Sequence, residues 1–184
     1  MISLGHIRTG QALIYNNEPY LVTYCAHHKM GRGGAVVRTK LKSLKAGSVV
    51  EVTFQGNDKV DLADLVRKKC QYLYKDEIGA HFMDDQYEQF SLDAESIADQ
   101  LYYLKDGESV DVAFWDGNAV TINLPPKVDL KVIDAPPAVK GDTANNATKK
   151  ITLETGLEVG APLFIEEGDV VRVNTETSAY VERV

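Results

Sequence analysis

Residues 27–42 read HHKMGRGGAVVRTKLK, a glycine-lined loop followed by a run in which apolar and basic residues alternate. Successive side chains of a β-strand point to opposite faces, so such a run separates into two faces. The alternating sets are Val37, Thr39 and Leu41 on one face and Arg38, Lys40 and Lys42 on the other. The pattern predicts a β-hairpin with Arg32 at its tip and a row of cations along one side of its second strand.

The sequence on both sides of this hairpin also favours short strands. These strand candidates are rich in β-branched and aromatic residues, and turn-forming residues separate them. They are QALIY (11–15), YLVTYCA (20–26), VVEVTF (49–54) and KVDLADL (59–65). With the hairpin they make a five-strand unit over residues 1–64, which we predict to be a small SH3-like, or KOW-like, barrel.

A second unit is predicted over residues 65–126. It contains strand candidates at 68–74, 80–84 and 88–92, and the helix candidate DAESIADQLYYL at 93–104, which Ser91 or Asp93 would cap. The strand candidates VDVAFW and AVTINL follow, joined by Asp116-Gly117-Asn118, a strong hairpin signal. Five strands with one helix between them fit an OB-fold barrel.

The third unit is predicted over residues 127–184, after Pro125 and Pro126. Its strand candidates are KVDLKVI, KITLET, LEV, PLFI, DVVRVN and AYVERV, and a long polar loop follows the first of them. The ends of the second and third units share an order of acidic residue and glycine, strand, turn and strand, which is a weak internal repeat. We therefore predict an all-β chain of three small barrels, of which the last two are of one type.

Charge is distributed unevenly along the chain. The formal net charge is -7, yet residues 19–50 contain no Asp or Glu and carry +6, so the remainder carries -13. Segregation of this kind is typical of a protein with one phosphate-seeking end. Charge alone leaves a solvated basic face as an open alternative.

Several function classes find no support in the sequence. No apolar run approaches the roughly 20 residues that cross a bilayer, and no signal-peptide pattern opens the chain, so we expect a cytoplasmic protein. Cys25 and Cys70 are expected to be reduced thiols. His27 and His28 would point to opposite faces of a strand, which argues against a zinc site, and Cys25 has no evident nucleophile partner. We predict no metal, no cofactor and no catalytic residue.

At this point the residues identify a family. GRGGAVVRTKLKSL (31–44) resembles the finger of bacterial translation elongation factor P, and QYLY with HFMDDQYEQF (81–90) resembles strands of its second domain. Residues 139–169, VKGDTANNATKKITLETGLEVGAPLFIEEGD, resemble the long signature of its third domain, and YVERV resembles its C-terminal end. The resemblance spans essentially the whole chain.

The resemblance implies an SH3-like domain and two OB domains arranged like the letter L of a tRNA. It implies a non-catalytic monomer that binds the 70S ribosome, through rRNA and ribosomal proteins, between the peptidyl and exit sites. There it would position peptidyl-tRNA so that peptide bonds form at consecutive prolines. Membranes would not be partners, whereas an exit-site mRNA codon is a further candidate.

The resemblance also implies roles for individual residues. Arg32 would approach the CCA end of the tRNA, and Lys29, Gly31 and Gly33 would shape its loop. Charge, rather than the motif, suggests Arg38, Lys40 and Lys42 as contacts to the RNA backbone. The exit-site codon and the small subunit would be contacted by Gly141, Asp142, Thr143, Tyr180 and Arg183.

Two questions stay open at this stage. Family members carry a modified Lys, a rhamnosylated Arg or an unmodified Arg at the tip; Arg32 argues against a Lys-modifying enzyme and leaves rhamnosylation and no modification open. Function has alternatives as well: a paralogue that prefers other stalling motifs, a general RNA-binding OB protein, or an enzyme with a bound cofactor. An RNA-binding OB protein would need exposed stacking aromatics, for which Tyr72, Tyr74 and Phe82 are the candidates.

Overall fold

The computed structural model describes residues 1–30, 34–56, 58–137 and 148–184, which form three antiparallel sheets and very little helix. The first sheet has six strands in the order β1-β6-β2-β3-β4-β5. Their bounds are β1 Ile2–Ser3, β2 Ala12–Tyr15, β3 Glu18–Met30, β4 Gly34–Ser43, β5 Val49–Gln55 and β6 Lys59–Leu62. The five predicted strands are all present, and the short β1, paired with β6, adds a sixth.

Alternation along the strands of the first sheet builds its core. Val37 and Leu41 are fully buried, as are Ile7 and Leu13, and Phe54 packs beside them. Between β2 and β3 the chain turns through Asn16 and Asn17, whose φ angles of 50° and 62° are ones that asparagine tolerates better than most residues. Along β4, one face is therefore buried in this core and the other carries the basic residues.

The second and third sheets have five strands each and share one topology. The second, in the order β11-β10-β7-β8-β9, contains β7 Val66–Lys75, β8 Ala80–Met83, β9 Gln89–Leu92, β10 Ser109–Trp115 and β11 Asn118–Asn123. The third, in the order β14-β13-β12-β15-β16, contains β12 Lys127–Asp134, β13 Thr148–Leu153, β14 Glu158–Pro162, β15 Val170–Asn174 and β16 Tyr180–Arg183. In each, the first strand lies at the centre, flanked by the second and fourth. This common order gives the weak sequence repeat a structural basis.

The hairpin predicted at Asp116-Gly117 forms as expected. It joins β10 to β11, and both turn residues have positive φ, 50° at Asp116 and 78° at Gly117. A two-residue turn of this hand matches the twist of the strands it connects, and Asp-Gly accepts it at little cost.

Two predicted elements were wrong. The helix expected over 93–104 is a single turn, α1 at Ala98–Leu101, because the preceding residues form a tight turn instead. In that turn Asp93 Oδ1 accepts a hydrogen bond from the Glu95 amide, and Ser96 Oγ donates to the Asp93 carbonyl. The predicted strand PLFI ends at Pro162, and the chain then turns through Leu163 and Phe164.

The chain divides into two compact units. One contains Met1–Ile97 and Ser109–Ile122; the other contains Ala98–Glu108 and Asn123–Val184. In the second unit, Tyr103 is buried in the core of the third sheet, and its Oη lies 2.6 Å from Ser178 Oγ. The boundaries predicted at 64/65 and 126/127 stay a prediction.

Among the described residues, no helix has the length and apolar character needed to cross a membrane.

Candidate nucleic-acid interface

The predicted hairpin is the longest pair of strands in the first sheet. We call β3 and β4, Glu18–Ser43, the finger. From Cys25↔Thr39 to Met30↔Gly34, the two strands pair residue by residue with no shift in register. Gly31, Arg32 and Gly33 lie outside the described residues, and Lys29 is described only by its backbone, which pairs with Ala35. The roles predicted for these four residues therefore stay predictions.

The basic row on β4 has the geometry that its alternation predicts. Arg38 and Lys40 are exposed and Lys42 is half-buried, whereas Thr39 and its apolar neighbours are buried. Thr39 tolerates burial because its hydroxyl donates to the Val52 carbonyl at 2.9 Å. β4 thus presents Arg38, Lys40 and Lys42 on one face, which we call the outer face.

The cations of this row differ in their partners. Lys40 Nζ lies 3.1 Å from Glu51 Oε1 on β5, an exposed ion pair that a stronger anion can displace. Neither Arg38 nor Lys42 makes an ion pair with any residue in the described part of the chain. Two of the three predicted backbone contacts therefore hold their charge without a protein counter-ion there.

A β-bulge at Thr23 lies beside the row, and its consequence was not predicted. The register shifts between Val22 and Tyr24, and Thr23 Oγ1 donates to the Lys40 carbonyl at 3.1 Å. Beyond the bulge Tyr24 pairs with Lys40 on the outer face. The one hint in the sequence is that apolar and polar residues do not alternate regularly along YLVTYCA (20–26).

The inner face of the finger carries Cys25 and His27. As predicted, His27 and His28 pair with residues of opposite faces, Val37 and Val36. His27 Nε2 lies 3.2 Å from Cys25 Sγ and 3.0 Å from the Ile7 carbonyl oxygen. Burial raises the pKa of Cys25, although the nearby Arg8 opposes this. A thiol held protonated is the reverse of an activated nucleophile.

The aromatic residues proposed for general RNA binding are mostly core. Tyr72 and Phe82 are buried, with 6% and 0% of their surface exposed. Tyr74 is 49% exposed, but its ring stacks on His81 with a centroid distance of 4.6 Å. The second sheet therefore does not present these three rings as one platform for bases.

The third sheet brings together two of the predicted small-subunit contacts. Tyr180 and Arg183 lie on β16; Tyr180 is half-buried against the core, and Arg183 is exposed. The Arg183 guanidinium lies over the Phe164 ring, 5.7 Å from its centroid, and Nη1 is 3.6 Å from Asp169. Gly141, Asp142 and Thr143 lie outside the described residues.

Ion pairs link neighbouring strands of the third sheet. Arg172 bridges Asp129 and Glu182, on the strands that flank its own. Arg172 donates hydrogen bonds to Asp129, which hold the pKa of this carboxyl below its usual value. Across the described ranges, no three His, Cys, Asp or Glu side chains are grouped as metal ligands would be.

Comparison with known proteins agrees with this arrangement. Three family models match: the "Elongation factor P (EF-P) KOW-like domain" over residues 3–60, the "Elongation factor P (EF-P) OB domain" over 65–122, and "Elongation factor P, C-terminal" over 128–183. The elongation factor P of Moorella thermoacetica is 45% identical over 184 residues, all of both chains. That of Thermotoga maritima is 44% identical, also over the full length of both.

One solved structure supports the fold over two thirds of the chain. Eukaryotic translation initiation factor 5A from Methanococcus jannaschii aligns with a TM-score of 0.50 and 22% identity, covering 66% of this chain and 94% of that one. The predicted all-β fold class, a KOW-like domain followed by OB-type barrels, is confirmed. The chain belongs to the elongation factor P family.

Proposed function

We propose that this translation elongation factor binds the ribosome between the peptidyl and exit sites and positions peptidyl-tRNA for peptide-bond formation at consecutive prolines. The observation that carries the proposal is the outer face of the finger, where Arg38 and Lys42 have no counter-ion among the described residues. A cation without a protein partner gives up little when it meets an RNA phosphate. Family membership supplies the ribosome as the place where such a face would act.

The mechanism requires the factor to position the reacting groups, and no side chain of the factor need act as an acid or a base. Proline's fixed φ and its ring make it a poor reactant in peptide-bond formation. The activation barrier of this reaction falls when the reacting groups are held in the correct orientation. Arg32 would reach the CCA end of the tRNA, supported by Lys29, Gly31 and Gly33, while Arg38, Lys40 and Lys42 hold the backbone beside it. We propose that the factor has no catalytic residue of its own and works as a cytoplasmic monomer.

The remaining contacts would orient the protein against the small subunit. Gly141, Asp142 and Thr143 would face the exit-site codon, and Tyr180 and Arg183 would contact the small subunit. The exposure of Arg183 supports this role, because more than half of its side chain is open to solvent. The ring of Phe164 and the carboxylate of Asp169 orient its guanidinium.

The deciding experiment is tripeptide formation on a three-proline template with reconstituted ribosomes. Protein from its native host, which carries any modification of Arg32, is compared with Arg32→Ala and with no factor. We expect Arg32→Ala to lower the acceleration by roughly tenfold to a hundredfold, because the tip would no longer hold the CCA end. A template without proline should show no acceleration with either protein.

Two further measurements separate the alternatives. A panel of stalling motifs distinguishes this activity from that of a paralogue, which would accelerate other motifs more than proline runs. Mass spectrometry of the native protein decides whether Arg32 carries a rhamnose, and hence whether a modifying enzyme is a partner. If the native protein fails to accelerate the three-proline template, the proposed function is wrong.

A further inference from the structure

We propose that Tyr24 stacks on a nucleobase, so that the outer face of the finger binds RNA through a base as well as through phosphates. This inference rests on the proposed function, since it takes the ribosome-bound RNA as the partner. It adds a contact of a different kind: the ring would stack on the base of an unpaired or frayed nucleotide, beside the backbone held by Arg38 and Lys40.

The bulge at Thr23 is what turns Tyr24 outward. Val22 is fully buried and pairs with Leu41 of the core. In an unbroken strand Tyr24 would share the inward face of Val22, because residues i and i+2 point the same way. The extra residue Thr23 reverses the phase, so that Tyr24 lies opposite Lys40 and Cys25 lies opposite the buried Thr39. Bulges commonly re-aim a side chain at functional positions.

The ring of Tyr24 is open and has no partner in the described residues. Tyr24 is 52% exposed, and no hydrogen bond or ring contact of its side chain is present there. Tyr74, exposed to a similar extent, is by contrast stacked on His81. An exposed ring without a neighbour offers an aromatic face for a ligand.

The neighbours of Tyr24 favour RNA as that ligand. Directly opposite residues in an antiparallel pair lie about 5 Å apart at Cβ, which places Lys40 beside Tyr24 and Arg38 on the diagonal. Residues 19–50 contain no carboxylate, and that of Glu51 on β5 is paired with Lys40 Nζ. An aromatic face beside cations is the combination that binds single-stranded nucleic acid by stacking and charge together. The expected loss on removing a stacked ring is roughly 5- to 100-fold in affinity.

The test measures affinity for ribosomes that carry peptidyl-tRNA, at several salt concentrations. Four single variants are compared with the unchanged protein: Tyr24→Leu, Tyr24→Phe, Arg38→Ala and the control Tyr102→Leu. Tyr102 is a fair control because it is 46% exposed and lies in the other compact unit. A thermal melt of each variant checks that it is folded.

Stacking and phosphate contacts predict different salt responses. Tyr24→Leu should weaken binding by a similar factor, roughly 5- to 100-fold, at every salt concentration, whereas Tyr24→Phe should bind within about twofold of the unchanged protein. Arg38→Ala should instead lower the slope of log affinity against log salt, by roughly 0.7 to 0.9 for each phosphate that the variant no longer neutralises. Tyr102→Leu should change neither quantity.

Several outcomes would overturn the inference. If Tyr24→Leu binds as tightly as the control Tyr102→Leu, the ring makes no contact; if Tyr24→Phe binds as weakly as Tyr24→Leu, the hydroxyl rather than the ring is responsible. A photo-reactive benzoylphenylalanine at position 24 identifies the partner: a ribonuclease-sensitive cross-link supports the inference, and one to a ribosomal protein refutes it. Because these readouts are affinities, they stand apart from the proline assay, whose failure alone would reject the proposed function.

Discussion

Arg172 and Asp129 lie opposite each other on the paired strands β15 and β12, and the guanidinium donates from Nε and Nη2 to the two carboxylate oxygens at 2.7 and 2.9 Å. The same guanidinium donates from Nη1 to Glu182 on β16 at 2.8 Å. One side chain thus joins three consecutive strands of the third sheet, on the side that bears the C-terminal strand.

This ion pair predicts a dependence of stability on pH. The hydrogen bonds from Arg172 hold the pKa of Asp129 below the value of about 3.9 that an unfolded chain has. Between the two pKa values the unfolded state binds more protons, so stability rises with pH there. The stabilisation is complete above the unfolded pKa and is lost as pH falls through the folded one.

The measurement is the urea midpoint of the third sheet at pH 5 and at pH 2.5, followed by hydrogen exchange of its amides. Asp129→Asn should lower the midpoint at pH 5 and should show a smaller change between the two pH values. Asp106→Asn, at an exposed turn carboxylate with no ion pair in the described chain, is the control and should behave as the unchanged protein. An equal pH response in Asp129→Asn and the unchanged protein would contradict the assignment.

Gly79 predicts a position-specific cost of adding one methyl group. A Cβ at Gly79 would overlap the backbone carbonyl oxygen of Leu92 on β9, and a backbone atom in a sheet cannot easily move away. Gly79→Ala should therefore lower the free energy of unfolding by about 1–3 kcal/mol. Gly160→Ala is the matched control, because no described atom lies within 4 Å of the new Cβ, and it should change stability by less than about 0.5 kcal/mol. Equal midpoints for the two variants in urea would be evidence against the overlap.

Leu41 and its neighbour Lys40 should separate stability from binding. Leu41 is fully buried, so Leu41→Ala leaves a cavity and should cost about 2–5 kcal/mol. Lys40→Ala removes an exposed ion pair and should cost less than about 1 kcal/mol while weakening ribosome binding. The fluorescence of Trp115, the single tryptophan and a residue of the same compact unit, reports the unfolding. A Lys40→Ala variant as unstable as Leu41→Ala would show that the row is structural.

Cys70 should resist alkylation in the folded protein. Burial, followed by the nearby Asp84, raises the pKa of Cys70 to about 11, and only 2% of the residue is exposed. The thiolate is the reactive form, so at pH 8 the folded thiol should react at least about 100-fold more slowly than in urea. Iodoacetamide labelling with mass spectrometry distinguishes Cys70 from Cys25. Rapid labelling of Cys70 in the native protein would mean that β7 opens readily.

The sequence predicted correctly those elements whose conformation depends on residues close together in the chain. The alternation of Val37, Thr39 and Leu41 with the basic row survived folding, because one face of β4 is buried and the other is not. Asp116-Gly117 formed its turn for the same local reason. The helix at 93–104 failed because Asp93 and Ser96 satisfied the backbone groups in a turn, which helical spacing of apolar residues does not register.

The candidate site divides in the same way. The face of Arg38 and Lys40 followed from period two alone. Tyr24 did not, since the bulge at Thr23 is decided by how β3 must shift to keep both Val22 and Cys25 on the inner side. Arg32 was singled out by its glycine neighbours and its resemblance, and its role stays a prediction.

The burial of Tyr103 in the core of the third sheet has a consequence for the order of folding during synthesis. Residues 98–108 are synthesised before β10 and β11 of the second sheet. The residues that pack around Tyr103 lie in the third sheet and are synthesised last. We therefore expect Tyr103 to be exposed to water in a nascent chain that has been synthesised only as far as Pro126, because β12–β16 are still missing. By the same reasoning, a fragment that begins at Lys127 would have a cavity in its core where Tyr103 packs in the full chain. The compact unit that contains the third sheet is thus built from two segments, 98–108 and 123–184, that are separated in the sequence.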